Sequence, residues 1–126
     1  MKIETIAIHA GNHADNDPSG AVIQPITMAT TFKRAEDGGY PGGHIYSRIS
    51  NPNREALETV LSKLEGGVDA AAFSSGNAAG MAVFQSLKPG SHIIDPDDMY
   101  HGLRNQLKNL FAGILEFDFI DPMMEQ

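Results

Sequence analysis

The stretch AAAFSSGNAAG, residues 70–80, decides the fold. Ala70 to Phe73 form a short apolar run, which predicts a buried strand. Ser74, Ser75 and Gly76 break it, and the spacing from about Asn77 to Leu87 predicts a helix stopped by Lys88-Pro89-Gly90. Downstream the alternation continues. His92–Ile94 reads as a second strand, DPDD (95–98) as a turn, and Gly102–Phe111 as a helix with Leu103, Leu107, Leu110 and Phe111 on one face. Ala112-Gly113 ends that helix. ILEFDFI (114–120) sets Leu115, Phe117 and Phe119 against Glu116 and Asp118, the pattern of a half-buried strand. Strand, helix, strand, helix, strand predicts an α/β fold with a parallel βαβαβ core.

Upstream of this core, Asn51 and Pro52 read as N-cap and first residue of another helix. Its apolar stripe is Ala56, Leu57, Val60, Leu61 and Leu64, and Gly66-Gly67 ends it. Residues 1–50 show little periodicity and are rich in Gly, Pro, Thr and Asn, as in EDGGYPGGH (36–44). They predict an extended N-terminal arm, ordered against a second subunit or else flexible. A small parallel sheet has edges that want partners, so residues 51–126 are expected to be part of a larger domain.

Composition narrows the function. The 126 residues carry a formal net charge of −7 without a Lys/Arg cluster, which argues against a nucleic-acid partner or an anionic membrane surface. Cysteine is absent, so disulfides and thiolate metal sites are excluded. The N-terminus MKIETIAIHAG has no signal-peptide core and no apolar run reaches membrane-spanning length, so a cytoplasmic location is the expectation. His9, His13 and Asp15 form a loose trio, but Gly11 and Asn12 between the histidines argue against a helix and a metal site. Asp95, Asp97 and Asp98 read as turn and cap chemistry.

In open α/β sheets, ligands bind beyond the C-terminal strand ends, where SSGN (74–77) and DPDDMYHG (95–102) are expected. The first loop enters a helix N-terminus, where free amides and the helix dipole favour an anion such as phosphate, and Gly76 lets it approach. The alternative is an ordinary tight turn with Ser75 as helix cap. The stretch is neither a Walker A loop nor G-x-G-x-x-G. Tyr100 could stack on a flat heterocycle, or pack on its own helix. In HIYSRISNPN (44–53), Tyr46 and Arg48 stand two apart; on extended backbone both would face one target, and Arg with Tyr makes a phosphate grip.

Taken in order, ETIAIHAG, GAVIQPITMATTF, YSRISNPNREALETVLSKLEGG, AAFSSGNAAG, LKPGSHII and DDMYHGL resemble the cystathionine γ-synthase/γ-lyase family. These are pyridoxal-phosphate enzymes of cysteine and methionine metabolism, and the resemblance covers nearly the whole chain. It implies a partial aspartate-aminotransferase-like (fold type I) domain, with residues 51–126 the N-terminal part of the cofactor-binding domain. It implies γ-replacement or γ-elimination on a homoserine ester or cystathionine, and a homotetramer whose sites are shared between subunits. Tyr46 and Arg48 would bind the cofactor phosphate of a neighbouring subunit; Ser75, Gly76 and Asn77 would cradle that phosphate; Tyr100 would stack on the pyridine ring and serve the chemistry there.

The chain departs from the family at two places. His101-Gly102-Leu103 replaces the common Gly-Gly-Thr, and Asn77 stands where many members carry Met. Lys2, Lys33, Lys63, Lys88 and Lys108 are none of them in the context of the Schiff-base lysine, so these 126 residues alone are expected to be inactive. The competing expectation, from a different class, is a non-catalytic module that binds a full-length subunit through the arm.

Overall fold

The computed structural model describes residues 1–12, 20–121 and 123, so His13, Asp15 and Met124 lie outside the described residues. The chain divides into two compact units, Met1–Ala72 and Phe73–Gln126.

In the first unit, helix α1 spans Ile3–His9 and helix α2 spans Pro52–Glu65. The start of α2 is built by its own sequence. The Asn51 side chain accepts a hydrogen bond from the Asn53 amide at 2.9 Å, and Pro52 takes the first helical position, where its missing N–H is not needed. The helix stops at Gly66, whose φ of +68° is left-handed and whose amide returns to the Ser62 carbonyl. Beyond α1, a Cβ at Gly11 would overlap the Ala56 carbonyl oxygen, so only glycine lets the chain run this close to α2.

Residues 20–50 are more structured than an extended arm. Thr31 and Tyr46 form an antiparallel bridge, flanked by Phe32 N–H to Ile45 O at 3.1 Å and Ser47 N–H to Thr30 O at 2.8 Å. Asn53 ties the preceding stretch to α2, accepting from the Thr27 amide and donating to the Pro25 carbonyl, both at 2.7 Å. The expectation of an arm without regular structure is therefore corrected at α1 and at this ribbon.

The second unit holds helix α3 (Gly76–Ser86), strand β1 (His92–Pro96), helix α4 (His101–Leu110) and strand β2 (Glu116–Ile120). β1 and β2 pair in parallel, with register running from His92 opposite Glu116 to Pro96 opposite Ile120. Phe84, Leu107, Phe111 and Leu115 form the core, and Met81, Ile93, Leu103, Phe117 and Phe119 pack around it. Phe84 and Phe111 meet edge to face at 5.7 Å, a favoured aromatic geometry. The alternation read in β2 holds: Phe117 and Phe119 turn inward, while Asp118 turns outward to His92 Nε2 at 2.9 Å. Leu110 is the exception on the α4 face and is more than half exposed.

Among the described residues two strands, not three, form the sheet. Residues 70–73 are outside every strand, because a strand exists only where a neighbour completes its ladder. Here the Ala70 and Ala72 amides bond to carboxylates instead, those of Asp69 and Glu58, each at 2.8 Å.

Candidate functional site

The corner where α3 begins carries most of the expected site residues. Ser75 is the N-cap, in extended conformation, and its hydroxyl oxygen accepts from the Ala78 amide at 3.2 Å. Its carbonyl accepts from the Ala79 amide at 3.1 Å. The amides of Gly76 and Asn77, first and second in the helix, have no hydrogen-bond partner among the described residues. Beyond its chain neighbours and its own helix, no heavy atom lies within 4 Å of where a Cβ on Gly76 would stand, so the approach beside Gly76 is open. The cap reading of Ser75 and the anion reading of Gly76-Asn77 are therefore compatible.

Tyr100 is the N-cap of α4 and is 68% exposed, so a ring face is open to solvent. Its ring edge and the Asn77 side chain both approach Gly102. A Cβ there would lie 2.6 Å from Asn77 Oδ1 and 2.7 Å from Tyr100 Cε1. Gln106, one turn along α4, donates from Nε2 to the Asn77 carbonyl at 3.1 Å. The structure thus brings Ser75, Gly76, Asn77 and Tyr100 to one corner of the second unit. Their donor set suits a phosphorylated flat heterocycle: two free amides on an open approach, beside an exposed aromatic face.

Cations nearby are already committed. Arg104 Nη2 pairs with Asp97 Oδ1 at 2.7 Å, and its guanidinium carbon lies 4.3 Å from the Phe119 ring centroid. Asp97 lies in the turn after β1, but its carboxylate serves this pairing and caps no amide of α4. His101 only meets Asn105 on the surface, at 3.2 Å.

Tyr46 and Arg48 lie in the first unit. They are neighbours, with the guanidinium carbon 5.1 Å from the Tyr46 ring centroid. The extended backbone invoked for them is corrected: residues 46–50 form a turn, in which the Tyr46 carbonyl accepts from the amides of Ile49 at 2.9 Å and Ser50 at 3.0 Å. Side-chain attraction, not strand alternation, puts them side by side. The same unit has an open pocket of about 300 Å³ whose lining includes His44, Ser50, Arg54, Glu55 and Glu58. Its groups satisfy one another: His44 bonds to Ser50 Oγ at 3.2 Å and to Glu55 at 3.3 Å, and Arg54 meets Glu58 at 3.6 Å.

Gln106 was not singled out by sequence for this region, and Asp95, read as turn and cap chemistry, is corrected to a strand position. Asp95 lies near the C-terminal end of β1, and burial raises its carboxyl above the usual range. The available signal was an acid at the inward position that follows Ile93 in a strand's alternation. Among the described residues no cluster of His, Asp or Glu could hold a metal, and no helix is long and apolar enough to cross a membrane.

Comparison with known proteins sharpens this picture. A family profile described as Cys/Met metabolism PLP-dependent enzyme matches residues 4–126. Cystathionine gamma-lyase of Saccharomyces cerevisiae is 46% identical over 101 residues, 80% of this chain and 25% of the relative. Cystathionine gamma-synthase of Mycobacterium bovis is 44% identical over 109 residues, 86% of this chain and 28% of the relative. Among solved structures, yeast cystathionine gamma-lyase superposes with a TM-score of 0.87 at 39% identity, covering 99% of this chain and 32% of that one. The metB protein of Corynebacterium glutamicum gives 0.87 at 35% identity, covering 96% and 32%. The chain therefore spans about a quarter to a third of the length of these relatives.

Proposed function

The chain belongs to the Cys/Met metabolism family of PLP-dependent enzymes, and from that membership we propose that it supplies the phosphate-binding and ring-stacking corner of a trans-sulfuration enzyme. The whole protein would carry out γ-replacement or γ-elimination on a homoserine ester or cystathionine, as a cytoplasmic homotetramer. The observation that carries this reading is the pair of unpartnered amides at Gly76 and Asn77, open to solvent and adjoining the Tyr100 corner.

Each residue then has a physical task. The Gly76 and Asn77 amides hold the phosphate at the positive end of α3. Ser75 keeps them aimed outward by capping the next amide. Tyr100 covers one face of the pyridine ring and excludes water from it. Arg48, with the Tyr46 hydroxyl beside it, brings the positive charge that the corner lacks, from a neighbouring subunit. When bound, pyridoxal phosphate supplies an electron sink for a carbanion formed beside the amino group of an amino acid.

Lysines in the second unit are poorly placed for covalent attachment to that cofactor. Lys88 follows the far end of α3, about 16 Å along an eleven-residue helix from the Gly76 amide. Lys108 sits with Nζ 5.2 Å from the Phe119 ring centroid. The 126 residues alone are thus proposed to bind cofactor without turnover.

Titrating the chain with pyridoxal phosphate tests the reading. Saturable binding is expected, weakened by about tenfold or more in Arg48→Ala if one charge-assisted phosphate contact is lost. Absence of saturable binding would refute it, and a borohydride-sensitive visible band would refute the non-covalent part. A second reading, a non-catalytic module that captures an intact subunit, is favoured by Val22, Ile23, Ile26 and Met28, all exposed along residues 22–28. Stable capture of a full-length relative, unaffected by Arg48→Ala and without cofactor binding, would select it.

A further inference from the structure

α3 and α4 pack through two glycines, each filled by a side chain from the other helix. Gly80 on α3 receives Leu103 of α4: a Cβ at Gly80 would overlap Leu103 Cδ2. Gly102 on α4 receives Asn77 of α3, whose Oδ1 and Nδ2 lie 2.6 and 2.7 Å from the position a Cβ would take. Real Cβ contacts do not come this close, so any residue but glycine at 102 must displace something. What it would displace is specific: the Asn77 side-chain amide and the Tyr100 ring edge, whose Cε1 is 2.7 Å from the same point. Gln106 holds the Asn77 backbone from the same helix. Asn77 Oδ1 and Gln106 Oε1 are both buried without a hydrogen-bond partner, so the Asn77 amide is held there by packing and not by bonds to its oxygen.

We propose that Asn77 is a positioning residue for Tyr100: its side chain, seated on Gly102, fixes the distance between the ring and the two free amides at the start of α3. This rests on the cofactor reading above and deepens it. A ligand bearing both a phosphate and a flat ring must satisfy amides and Tyr100 together, so its affinity depends on their separation. A bare phosphate touches only the amides and does not sense the ring.

The test is a double-mutant cycle on the 126-residue chain with Gly102→Ala, Asn77→Ala and both together. Two probes are titrated, pyridoxal phosphate and inorganic phosphate, and the Tyr100 ring resonances are followed by NMR without ligand. Gly102→Ala is expected to shift those resonances and to weaken pyridoxal phosphate by about tenfold, because misplacement of a fraction of an ångström is costly. Phosphate affinity stays within about twofold of wild type, since the amides are untouched. Asn77→Ala lets the ring wander, broadens its resonances and weakens pyridoxal phosphate, and the double variant loses less than the two single losses combined, because both changes act through the same contact. Equal losses for both probes, or single-variant losses that simply add in the double variant, would overturn the proposal. If wild type binds neither probe, the cofactor reading fails on its own. The ring resonances then still decide the positioning role: no change of the Tyr100 signals in Gly102→Ala or Asn77→Ala overturns it.

Discussion

Asp95 shows what a partly buried acid costs. It alternates with Ile93 on the inward face of β1, and its Oδ2 is buried without a hydrogen-bond partner. Desolvation penalises the charged form and raises its carboxyl above the usual 3.8. The folded state therefore holds the Asp95 proton more tightly than the unfolded state does. Its stabilising contribution is complete below the unfolded value and is lost as pH rises through the raised folded value. Asp95→Asn keeps the shape without the charge, so it should be more stable than wild type at neutral pH. That gain should shrink as the pH is lowered towards roughly 4, where the unfolded aspartate protonates. Urea midpoints measured across this range check it; a gain independent of pH would show that packing, not charge, is responsible. Leu107 is the complementary case. It is wholly inaccessible at the centre of a core of four buried side chains. Leu107→Ala should cost about 2–5 kcal/mol by lost transfer energy and cavity formation, read as a lowered urea midpoint of the second unit.

Among the elements, α2 was the most legible, because its signals are local. Asn51, Pro52 and Gly66 act within their own turns, and each does in the structure what its residue type demands. Asn51→Ala should cost about 1 kcal/mol for the lost cap, as seen in thermal unfolding. It should also speed amide exchange at Ser47, because the Asn51 Nδ2 donates to Ser47 Oγ at 3.1 Å and ties that turn down. Exchange at Ser47 unchanged from wild type would mean that the turn holds itself. The β1–α4–β2 run was legible for the same reason, as apolar period changes with element type. Residues 70–73 were not, because an apolar run becomes a strand only when a second strand completes it. Helix α1 was missed although Ile3, Ile6, Ala7 and Ala10 recur at helical spacing. Seven residues are too few to form a helix alone, so its existence depends on packing near α2, which no local signal reports. In the site, the Ser75 cap and the free amides could be read from a strand-to-helix sequence. The seating of Asn77 on Gly102 could not, since it joins two helices through a gap that only tertiary packing defines.

At the scale of the whole molecule, burial is uneven. Among the described residues, all four buried apolar side chains belong to the second unit and none to the first. α1 and α2 contain no buried residue, while Ile3, Ile8, Val22, Ile23, Ile26 and Met28 are each more than 60% exposed. Apolar burial supplies about 25 cal/mol per Å², so a unit that leaves these residues in water has little to offset the entropy of ordering its chain. Its hydrogen bonds, at Asn51 and Asn53, specify a conformation more than they stabilise one. The first unit should therefore open at lower free energy than the second, with amides of α1 and α2 exchanging faster than those around Leu107. If a second copy covers the exposed side chains, mass action must stabilise the first unit selectively. At a hundredfold excess over the dissociation constant the gain is about 2.7 kcal/mol. The tyrosines allow the two units to be followed separately, since Tyr40 and Tyr46 lie in the first and Tyr100 in the second. On raising protein concentration, the unfolding midpoint reported by Tyr40 and Tyr46 should climb while that reported by Tyr100 stays nearly fixed. A Tyr40 and Tyr46 midpoint independent of concentration, with sedimentation showing only monomer, would mean that copies of these 126 residues do not cover one another's apolar surface.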